Sequence, residues 1–409
     1  MSNSVPMEDK VWVWCDTLFT PSERRVSCCI RIEDGKIQEI VPAGESAVRG
    51  RDVVHEPGTV VAPGFIDLHV HGARGRDFMD GTLESLRTLS ETLARHGTTS
   101  FLPTTMSAPD LDTEAVLRGF AEHRSLIRDG ALPIGIHMEG PFLNPVCRGT
   151  HDARYLKQAD VPAFRRFRTI SRDSIARITV APEMDEDLAL IREATAAGIQ
   201  VSIGHSDATA AQAQAAIEAG ACQATHTFNA MRPFHQREPG ILGTVLADKR
   251  VFAEVICDGI HVHRTAIRLL LGLKQAGRTL LVTDGLSSVD MPDGRYPLGD
   301  KIIVVERAEC RDSEGRLAGS TLTLDRAVRN LVHWFNVPLS EALATAGATP
   351  ARAMRMEGKK GVIAPGADAD LVFLDADLNV VRTMVSGRTV YSKSATDYTN
   401  STDDKHIIS

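Results

Sequence analysis

The 409-residue sequence lacks the features that mark membrane proteins, secreted proteins and nucleic-acid-binding proteins. It contains no apolar run of about 18 residues, the length that a membrane-spanning helix requires. Its first residues, MSNSVPMEDK, do not follow the charged-then-apolar order of a signal peptide. The net charge of -7 provides no excess of basic residues for contact with nucleic acid or an anionic membrane. We therefore expect neither as a partner.

Cysteine is also scarce, with seven residues at irregular spacing. An odd count without the spacing of a metal cluster or a disulfide framework is typical of free thiols in a reducing compartment. Also missing are a glycine-rich phosphate loop and the Gly-x-Ser-x-Gly turn that exposes a nucleophilic serine. These absences favour a cytoplasmic protein and disfavour covalent serine catalysis.

What the chain does contain is an alternation of short apolar stretches and helix-period stretches between residues 63 and 360. Eight strands with helices between them predict an α/β fold built as a (β/α)8 TIM-like barrel. Two further helices, Thr323–Phe335 and Ser340–Met354, would extend or close it. The candidate strands are Gly64–His71, Thr98–Leu102, Pro133–Glu139, Arg177–Ala181, Gln200–Gly204, Gln223–His226, Val251–Ile256 and Thr279–Asp284.

Both ends of the chain are rich in strand-forming residues and carry no helix-period pattern. Asp34-Gly35 separates two of these stretches and indicates a tight hairpin, since glycine accepts a positive φ. We predict that residues 1–62 and 361–395 pair into one small β-sandwich domain, with the barrel inserted between them. Residues 396–409 are polar and are predicted to form a disordered tail.

Potential metal ligands stand where the apolar stretches end. In a barrel of parallel strands, these carboxyl ends meet at one face. Imidazole and carboxylate together suit a divalent transition metal that keeps an open position for water, which indicates a metallohydrolase. An aspartate beside such a site can act as general base and then as general acid. The residues are His69, His71, Glu139, His205 and His226 as ligands and Asp284 as the acid/base.

Each of these residues also has an ordinary structural alternative. A buried histidine is more often a hydrogen-bonded core residue than a ligand. Glu139 has the alternative of an ion pair with an arginine such as Arg148, and Asp284 that of capping a turn. Several such residues at one barrel face favour the shared site over independent structural roles.

Taken together, these segments resemble the amidohydrolase superfamily and, within it, the N-acetylglucosamine-6-phosphate deacetylase family, from about Val60 to Val390. The most specific pieces are His-Met-Glu-Gly-Pro-Phe-Leu-Asn with the following Gly-Thr-His, then Gly-His-Ser, Thr-His-x-Phe-Asn-Ala-Met, Arg-Glu-Pro-Gly and Asp-Gly-Ile-His. Glu139 stands where many relatives have a carboxylated lysine, and this is a mark of the narrower family.

The resemblance implies an enzyme that converts N-acetyl-D-glucosamine 6-phosphate to D-glucosamine 6-phosphate and acetate. Glu139, His205 and His226 would hold the principal metal, and His69 with His71 a second one. Zn, Fe, Mn and Co all suit these ligands, with one or two ions per chain. Besides Asp284, the resemblance gives a catalytic role to His151, near the acetamide carbonyl.

The resemblance also implies a set of contacts to the sugar phosphate and a homodimer, because the phosphate-binding arginine of the family can come from the neighbouring subunit. The alternative for Arg237 is a surface pair with Glu238. Rival functions are another amidohydrolase, such as an N-acyl-amino-acid deacylase or a cyclic amidase, and a non-catalytic scaffold. The implied substrate-binding residues are Thr150, His151, Asn229, Ala230, Arg237, Asp258, His261, Leu317, Ala318 and Gly319.

Overall fold

The computed structural model describes residues 10–20, 23–44 and 51–393. Over these residues the chain forms a mixed α/β fold with a parallel sheet, a small sheet built from both termini and a short antiparallel insert. The predicted disordered tail, residues 396–409, lies outside the described residues, as do residues 1–9 of the predicted small domain.

Two parallel sheets with their covering helices make up the central structure of the protein. The larger sheet has six strands, and their order across the sheet is their order along the chain. Three more strands form a second parallel sheet, and single parallel bridges join Thr104 to His137 and Val70 to Gly285. Each of the eight predicted strands overlaps an observed one. The six-stranded sheet comprises Ile136–Glu139, Ile175–Val180, Gln200–Ile203, Gln223–Ala224, Phe252–Ile256 and Thr279–Val282, and the three-stranded sheet comprises Phe65–Val70, Thr98–Pro103 and Leu132–Pro133.

The helices cover these strands and bury one face each. In Leu83–Arg95, for example, Leu86, Leu89 and Leu93 recur at helical spacing and are buried, and the Thr82 side chain caps the first turn by accepting from the Ser85 N–H. Within the described part of the chain, no helix is long and apolar enough to cross a membrane. The α-helices are Leu83–Arg95, Asp110–His123, Val161–Ile170, Ala189–Ala196, Ala210–Glu218, Gly240–Ala247, Arg264–Lys274, Leu324–Phe335, Leu339–Ala346 and Ala348–Ala353.

The stretch predicted as one helix, Ser340–Met354, forms two. The first helix ends at Ala346, because Gly347 adopts φ -126° and ψ -78°, outside the helical region. The second, Ala348–Ala353, carries Pro350 in its first turn, where a missing N–H removes no helical hydrogen bond.

Strands from both ends of the chain pair into one sheet. The Asp34-Gly35 turn has φ of 51° and 72°, which confirms the expected tight hairpin. This sheet buries its own apolar cluster, which includes Val13, Ile30 and Phe373. The order across the sheet is Arg388–Ser392, Val380–Val385, Leu371–Leu374, Val60–Pro63, Lys10–Phe19, Arg24–Glu33 and Lys36–Pro42, with Val53–His55 beside Lys10–Phe19.

A three-stranded antiparallel insert follows the Thr279–Val282 strand and was not predicted. Its strands are Gly294–Leu298, Lys301–Glu306 and Glu309–Arg311. Tyr296, Ile303 and Cys310 of the insert pack against Leu286 in a separate apolar cluster. Lys301 Nζ donates to the carbonyl of Thr150 at 2.7 Å, so the insert supports a loop on which predicted site residues lie.

A buried lysine stabilises the junction between the central structure and the terminal sheet. Lys360 is 5% exposed, and its Nζ lies 2.7 Å from Asp370 Oδ2 and 3.0 Å from Asp368 Oδ2. Asp370 in turn accepts from the backbone N–H of Ser386. Asp368 also pairs with Lys36, so Asp370 depends most on Lys360 for its counter-charge.

Replacing Lys360 with Met is expected to lower the free energy of unfolding by roughly 3 kcal/mol, because it leaves a buried carboxylate without its cation. Urea unfolding followed by tryptophan fluorescence measures this, since Trp12 and Trp14 lie in the terminal sheet. Lys359→Met is the matched control, because the Lys359 side chain is exposed. Equal stability of the two variants would contradict a stabilising role for the buried lysine.

Candidate active site

The carboxylate of Glu139 lies at the centre of the site, at the last residue of the Ile136–Glu139 strand. Its side chain is 2% exposed, and its two oxygens face two different groups of histidines. The Thr105 hydroxyl accepts the Glu139 backbone N–H at 3.1 Å, which fixes the end of the strand. The carboxylate therefore has a defined direction between the two groups.

The first cluster consists of His69, His71 and Asp284, together with Glu139 Oε2. His69 is in the Phe65–Val70 strand and His71 follows it, so both rings point to the same side. Their Nε2 atoms lie 3.2 and 3.3 Å from Glu139 Oε2 and 3.4 and 3.2 Å from Asp284 Oδ1. Asp284, predicted as the acid/base, is thus also a potential ligand of this cluster.

The second cluster consists of His205, His226 and Glu139 Oε1. The two Nε2 atoms lie 3.2 and 3.3 Å from this oxygen and 2.9 Å from each other. The other ring nitrogen of His205, Nδ1, lies 2.8 Å from the carbonyl of Cys147, which sets the ring orientation. The structure therefore brings together all six residues that were predicted as metal ligands or acid/base.

The residues of both clusters fit a divalent metal. Burial alone would lower the pKa of His69 and of His71, but the two facing carboxylates raise both, the latter to about 9, so these rings carry protons that a cation would replace. Once deprotonated, ring nitrogens that face one another at about 3 Å direct their lone pairs at one point, which suits a metal ion. Glu139 Oε1 is buried and, among the described residues, makes no hydrogen bond. His69, His71 and Asp284 form one group of potential ligand atoms, and Glu139, His151 and His205 form a second. The donor set suits one or two transition metal ions.

Electrostatic interactions keep the two carboxylates ionised. Burial alone would raise the pKa of Glu139, but the facing histidines, led by His69, hold this pKa well below its usual range. Burial likewise opposes ionisation of Asp284, yet His69 and His71 lower its pKa to about 2. Both groups are therefore anionic at neutral pH and can bind a cation or accept a proton.

The second predicted catalytic residue, His151, has a defined tautomer. Burial lowers its pKa to about 4, so the ring is neutral at neutral pH. Its Nδ1 accepts from the backbone N–H of Ser107 at 3.2 Å, which leaves the proton on Nε2. That Nε2 lies 3.6 Å from Glu139 Oε2, so His151 presents a hydrogen-bond donor beside the clusters.

Three of the clustered residues have backbone conformations that residues other than glycine rarely adopt. His205, His226 and Asp284 have φ of 48°, 28° and 50°. Such strain is characteristic of functional sites, where the surrounding structure holds it in place. Each lies two residues beyond the end of a parallel strand, where the chain turns and directs the side chain into the site.

A cleft of about 190 Å³ opens above the clusters. Gly319 has φ 42°, and a Cβ there would lie 2.7 Å from the carbonyl of Asp284, so a side chain would not fit. Besides Glu139, His71, His205, His226 and Asp284, the lining residues are Met106, Gly149, Thr150, His151, Asn229, Ala230, His261, Leu286, Leu317 and Gly319.

Three of the predicted substrate-binding residues do not line this cleft. Ala318 is buried beneath it. Asp258 lies behind His261, and its Oδ2 is 2.7 Å from His261 Nδ1. Arg237 is exposed on the loop that follows His226. Glu238, its partner in the alternative surface pair, instead accepts the backbone N–H groups of Ala210 and Gly240.

The structural alternative for Glu139, an ion pair with Arg148, is wrong: Arg148 instead lies 3.6 Å from Glu314 and donates to the carbonyl of His151. Glu254 and Arg177, which were not predicted, form a fully buried ion pair next to His69. Their signal was available, because a charged residue within an otherwise apolar strand requires a buried partner.

Comparison with known proteins agrees with this geometry. The Amidohydrolase family model matches residues 60–390. The N-acetylglucosamine-6-phosphate deacetylase of Lysinibacillus sphaericus is 37% identical over 372 residues, which cover 91% of this chain and 95% of that protein. The N-acetylgalactosamine-6-phosphate deacetylase of Escherichia coli O157:H7 is 36% identical, with coverage of 88% and 93%.

A solved structure is also similar. The crystal structure of N-acetylglucosamine-6-phosphate deacetylase from Pasteurella multocida superimposes with a TM-score of 0.89 at 31% identity, and the match covers 94% of this chain and all of that one. This agreement confirms the resemblance that the sequence motifs indicated. The matched residues and the fold together show that the chain belongs to the amidohydrolase family.

Proposed function

We propose that this protein hydrolyses the acetamide of N-acetyl-D-glucosamine 6-phosphate to give D-glucosamine 6-phosphate and acetate. The observation that carries the proposal is the position of Glu139, a buried carboxylate shared by two histidine clusters on the floor of a polar cleft. The similar proteins from Lysinibacillus sphaericus and Pasteurella multocida bear the name of this activity.

Metal binding is part of the proposal. Glu139, His205 and His226 would hold the principal ion, and His69, His71 and Asp284 would hold a second one beside Glu139 Oε2. A divalent ion there supplies positive charge that activates water and polarises an amide carbonyl. Zn, Fe, Mn and Co all suit this ligand set.

The protein's own residues move the protons. Asp284 accepts a proton from the attacking water and returns it to the amine nitrogen as the C–N bond breaks. His151, neutral and protonated on Nε2, donates a hydrogen bond to the acetamide oxygen while negative charge develops there. The new C–O bond yields acetate, and the nitrogen leaves as the amine of the sugar.

The upper cleft offers groups that suit a sugar phosphate. His261 directs its Nε2 toward the cleft, and that atom makes no hydrogen bond among the described residues. Asp258 fixes the ring through Nδ1, so the free nitrogen is available to a ligand. Thr150, Asn229 and the backbone at Ala230 provide further polar groups, and Leu317 and Gly319 line the apolar side.

The phosphate requires a cation, and among the described residues that line the cleft none is Lys or Arg. We propose that Arg237 of a neighbouring subunit supplies it in a homodimer. Arg237 is exposed, and Phe234 on the same loop is 60% exposed, which suits a surface that another chain covers. A guanidinium can bind a phosphate through two charge-assisted hydrogen bonds.

The finer architecture belongs to the same proposal. The two isolated bridges, Thr104 to His137 and Val70 to Gly285, support a closed eight-stranded barrel over residues 63–360. Strands from both termini in one sheet with its own core support a small β-sandwich domain from residues 1–62 and 361–395. All seven cysteines are free thiols, which supports a cytoplasmic location.

The direct test measures acetate release by the purified protein from phosphorylated and unphosphorylated N-acetyl sugars. N-acetylgalactosamine 6-phosphate is included because a 36% identical protein bears that name. We expect hydrolysis of N-acetylglucosamine 6-phosphate to have the highest kcat/KM. Turnover of an N-acyl amino acid or a cyclic amide, with none of the sugar phosphate, would instead favour another amidohydrolase function.

Asp284→Asn is expected to lower kcat by roughly 10²–10⁴, because an amide cannot accept the proton from water. The ion between Glu139, His205 and His226 should stay bound, which elemental analysis measures. Glu139→Ala, in contrast, should lose both bound metal and activity, because both clusters share this carboxylate. An Asp284→Asn protein with near-normal kcat would remove Asp284 from the mechanism.

Carefully loaded protein is expected to bind about two metal ions per chain, because the ligand atoms form two groups. His71→Ala should reduce this to one ion, since His71 faces only the first group. Inductively coupled plasma analysis measures the content. Saturation of the wild-type protein at one ion, with no change on His71→Ala, would show that the His69–His71 pair is structural.

Arg237→Ala is expected to raise KM for the phosphorylated sugar, at a loss of roughly 1.5–3 kcal/mol, with little effect on the unphosphorylated one. Arg87→Ala, on the exposed side of the Leu83–Arg95 helix, is the control. Mixed dimers of Arg237→Ala and Asp284→Asn chains should regain wild-type KM at one site if the arginine acts across the interface. Mixed dimers with no recovery would place Arg237 in its own subunit's site.

A further inference from the structure

The side chain of Glu254 lies directly beneath the first cluster and is fully buried in the Phe252–Ile256 strand. Its Oε2 is 3.2 Å from Nδ1 of His69 and accepts the backbone N–H of His226 at 2.8 Å. One carboxylate oxygen therefore contacts a ring of the first cluster and the backbone of a residue in the second. None of the roles assigned above accounts for this carboxylate.

Arg177 provides the counter-charge on the other side. This residue is also fully buried, and its Nη1 pairs with Glu254 Oε1 and donates to the carbonyl of Leu68 at 3.2 Å. Its Nη2 donates to Ser202 Oγ at 2.9 Å. Arg177 is thus fixed by three neighbours and holds Glu254 in one orientation, with Oε2 directed to His69.

The two carboxylate oxygens of Glu254 have different partners, and this distinguishes the arrangement from an ion pair that only stabilises the core. A buried pair often contributes little net stability compared with apolar residues of the same volume. Here one oxygen satisfies Arg177, and the other is left for His69 and His226. A carboxylate accepts only, so it requires the proton of His69 on Nδ1 and leaves Nε2 with a free lone pair.

We propose that Glu254, held by Arg177, is a positioning residue that fixes the tautomer and orientation of His69 so that the first cluster can bind metal. This inference rests on the two-metal centre of the proposed function. According to this proposal, the affinity of the His69–His71–Asp284 group for a metal ion depends on Glu254, which is not itself a ligand. The second cluster is affected less, because Glu254 contacts only the backbone of His226 and neither of that cluster's rings.

Glu254→Gln tests the proposal with little change in shape. Arg177 will keep the amide oxygen, so the amide NH₂ will face His69 Nδ1 and force the ring proton onto Nε2, the atom that faces Glu139 and Asp284. The same NH₂ no longer accepts the His226 backbone N–H, so the second-cluster ion is weakened too, but less, because neither ring of that cluster contacts Glu254. We expect the dissociation constant of the first-cluster ion to rise 10–100-fold. Titration of metal-free protein with Zn²⁺ against a competing chelator measures both constants, and His71→Ala identifies which constant belongs to the first cluster.

Two further variants separate positioning from folding. Ser202→Ala removes a partner of Arg177 but leaves the contact between Glu254 and His69, so both metal constants should stay near the wild-type values. The double variant Glu254→Leu with Arg177→Met removes both buried charges and should fold even if Glu254→Gln does not. It should show the same selective weakening of the first-cluster ion, with circular dichroism as the check on folding.

Wild-type affinity of the first-cluster ion in a folded Glu254 variant would overturn the proposal. Equal weakening of both ions, or the same weakening in Ser202→Ala, would also overturn it in favour of a general structural role. A wild-type protein that binds no second ion would remove the two-metal centre itself, and the inference with it. The wild-type titration therefore tests the proposed function, and the variants test Glu254.

Discussion

The shared carboxylate of Glu139 is the interaction on which the rest of the site depends. Four histidine Nε2 atoms approach its two oxygens at 3.2–3.3 Å, two at each oxygen. A buried carboxylate is unfavourable unless cations or hydrogen-bond donors surround it. Because the four histidines come from the ends of three strands, those strands must end at one level for the carboxylate to be satisfied, and this couples the geometry of the site to that of the fold.

The same requirement explains why strained backbone is found at the strand ends. His205, His226 and Asp284 are in the left-handed region, at a cost of about 1–3 kcal/mol each. Hydrogen bonds hold each of them: Asn144 N–H to the His205 carbonyl, His226 N–H to Glu254, and Asp284 N–H to the His69 carbonyl. One of these bonds goes to His69 of the first cluster and another to Glu254 beside it, so backbone strain and ligand position are maintained by the same contacts.

The strands and the ligands could be predicted from the sequence because both follow from burial. Strands covered on both faces form continuous apolar runs, and a polar residue at the end of such a run is conspicuous. The Arg177–Glu254 pair was missed because its members are 77 residues apart, and only the strand order brings them together. The insert was missed although Lys301–Glu306 alternates between buried and exposed positions, since its strands are short and lie outside the barrel pattern.

The roles of the residues in the loop that follows His226 could not all be predicted from the sequence of one chain. Between residues 226 and 237, the chain has the candidate metal ligand His226, then Asn229 and Ala230 at the cleft. Phe234 and Arg237 follow on the exposed surface. A motif reveals which residues are present but not which subunit's cleft they face. In the proposed dimer, the segment that fixes the ligand of one site would also extend a cation to the other. Dimer assembly and phosphate binding would then depend on the same loop, so substrate selectivity would be a property of the pair of chains.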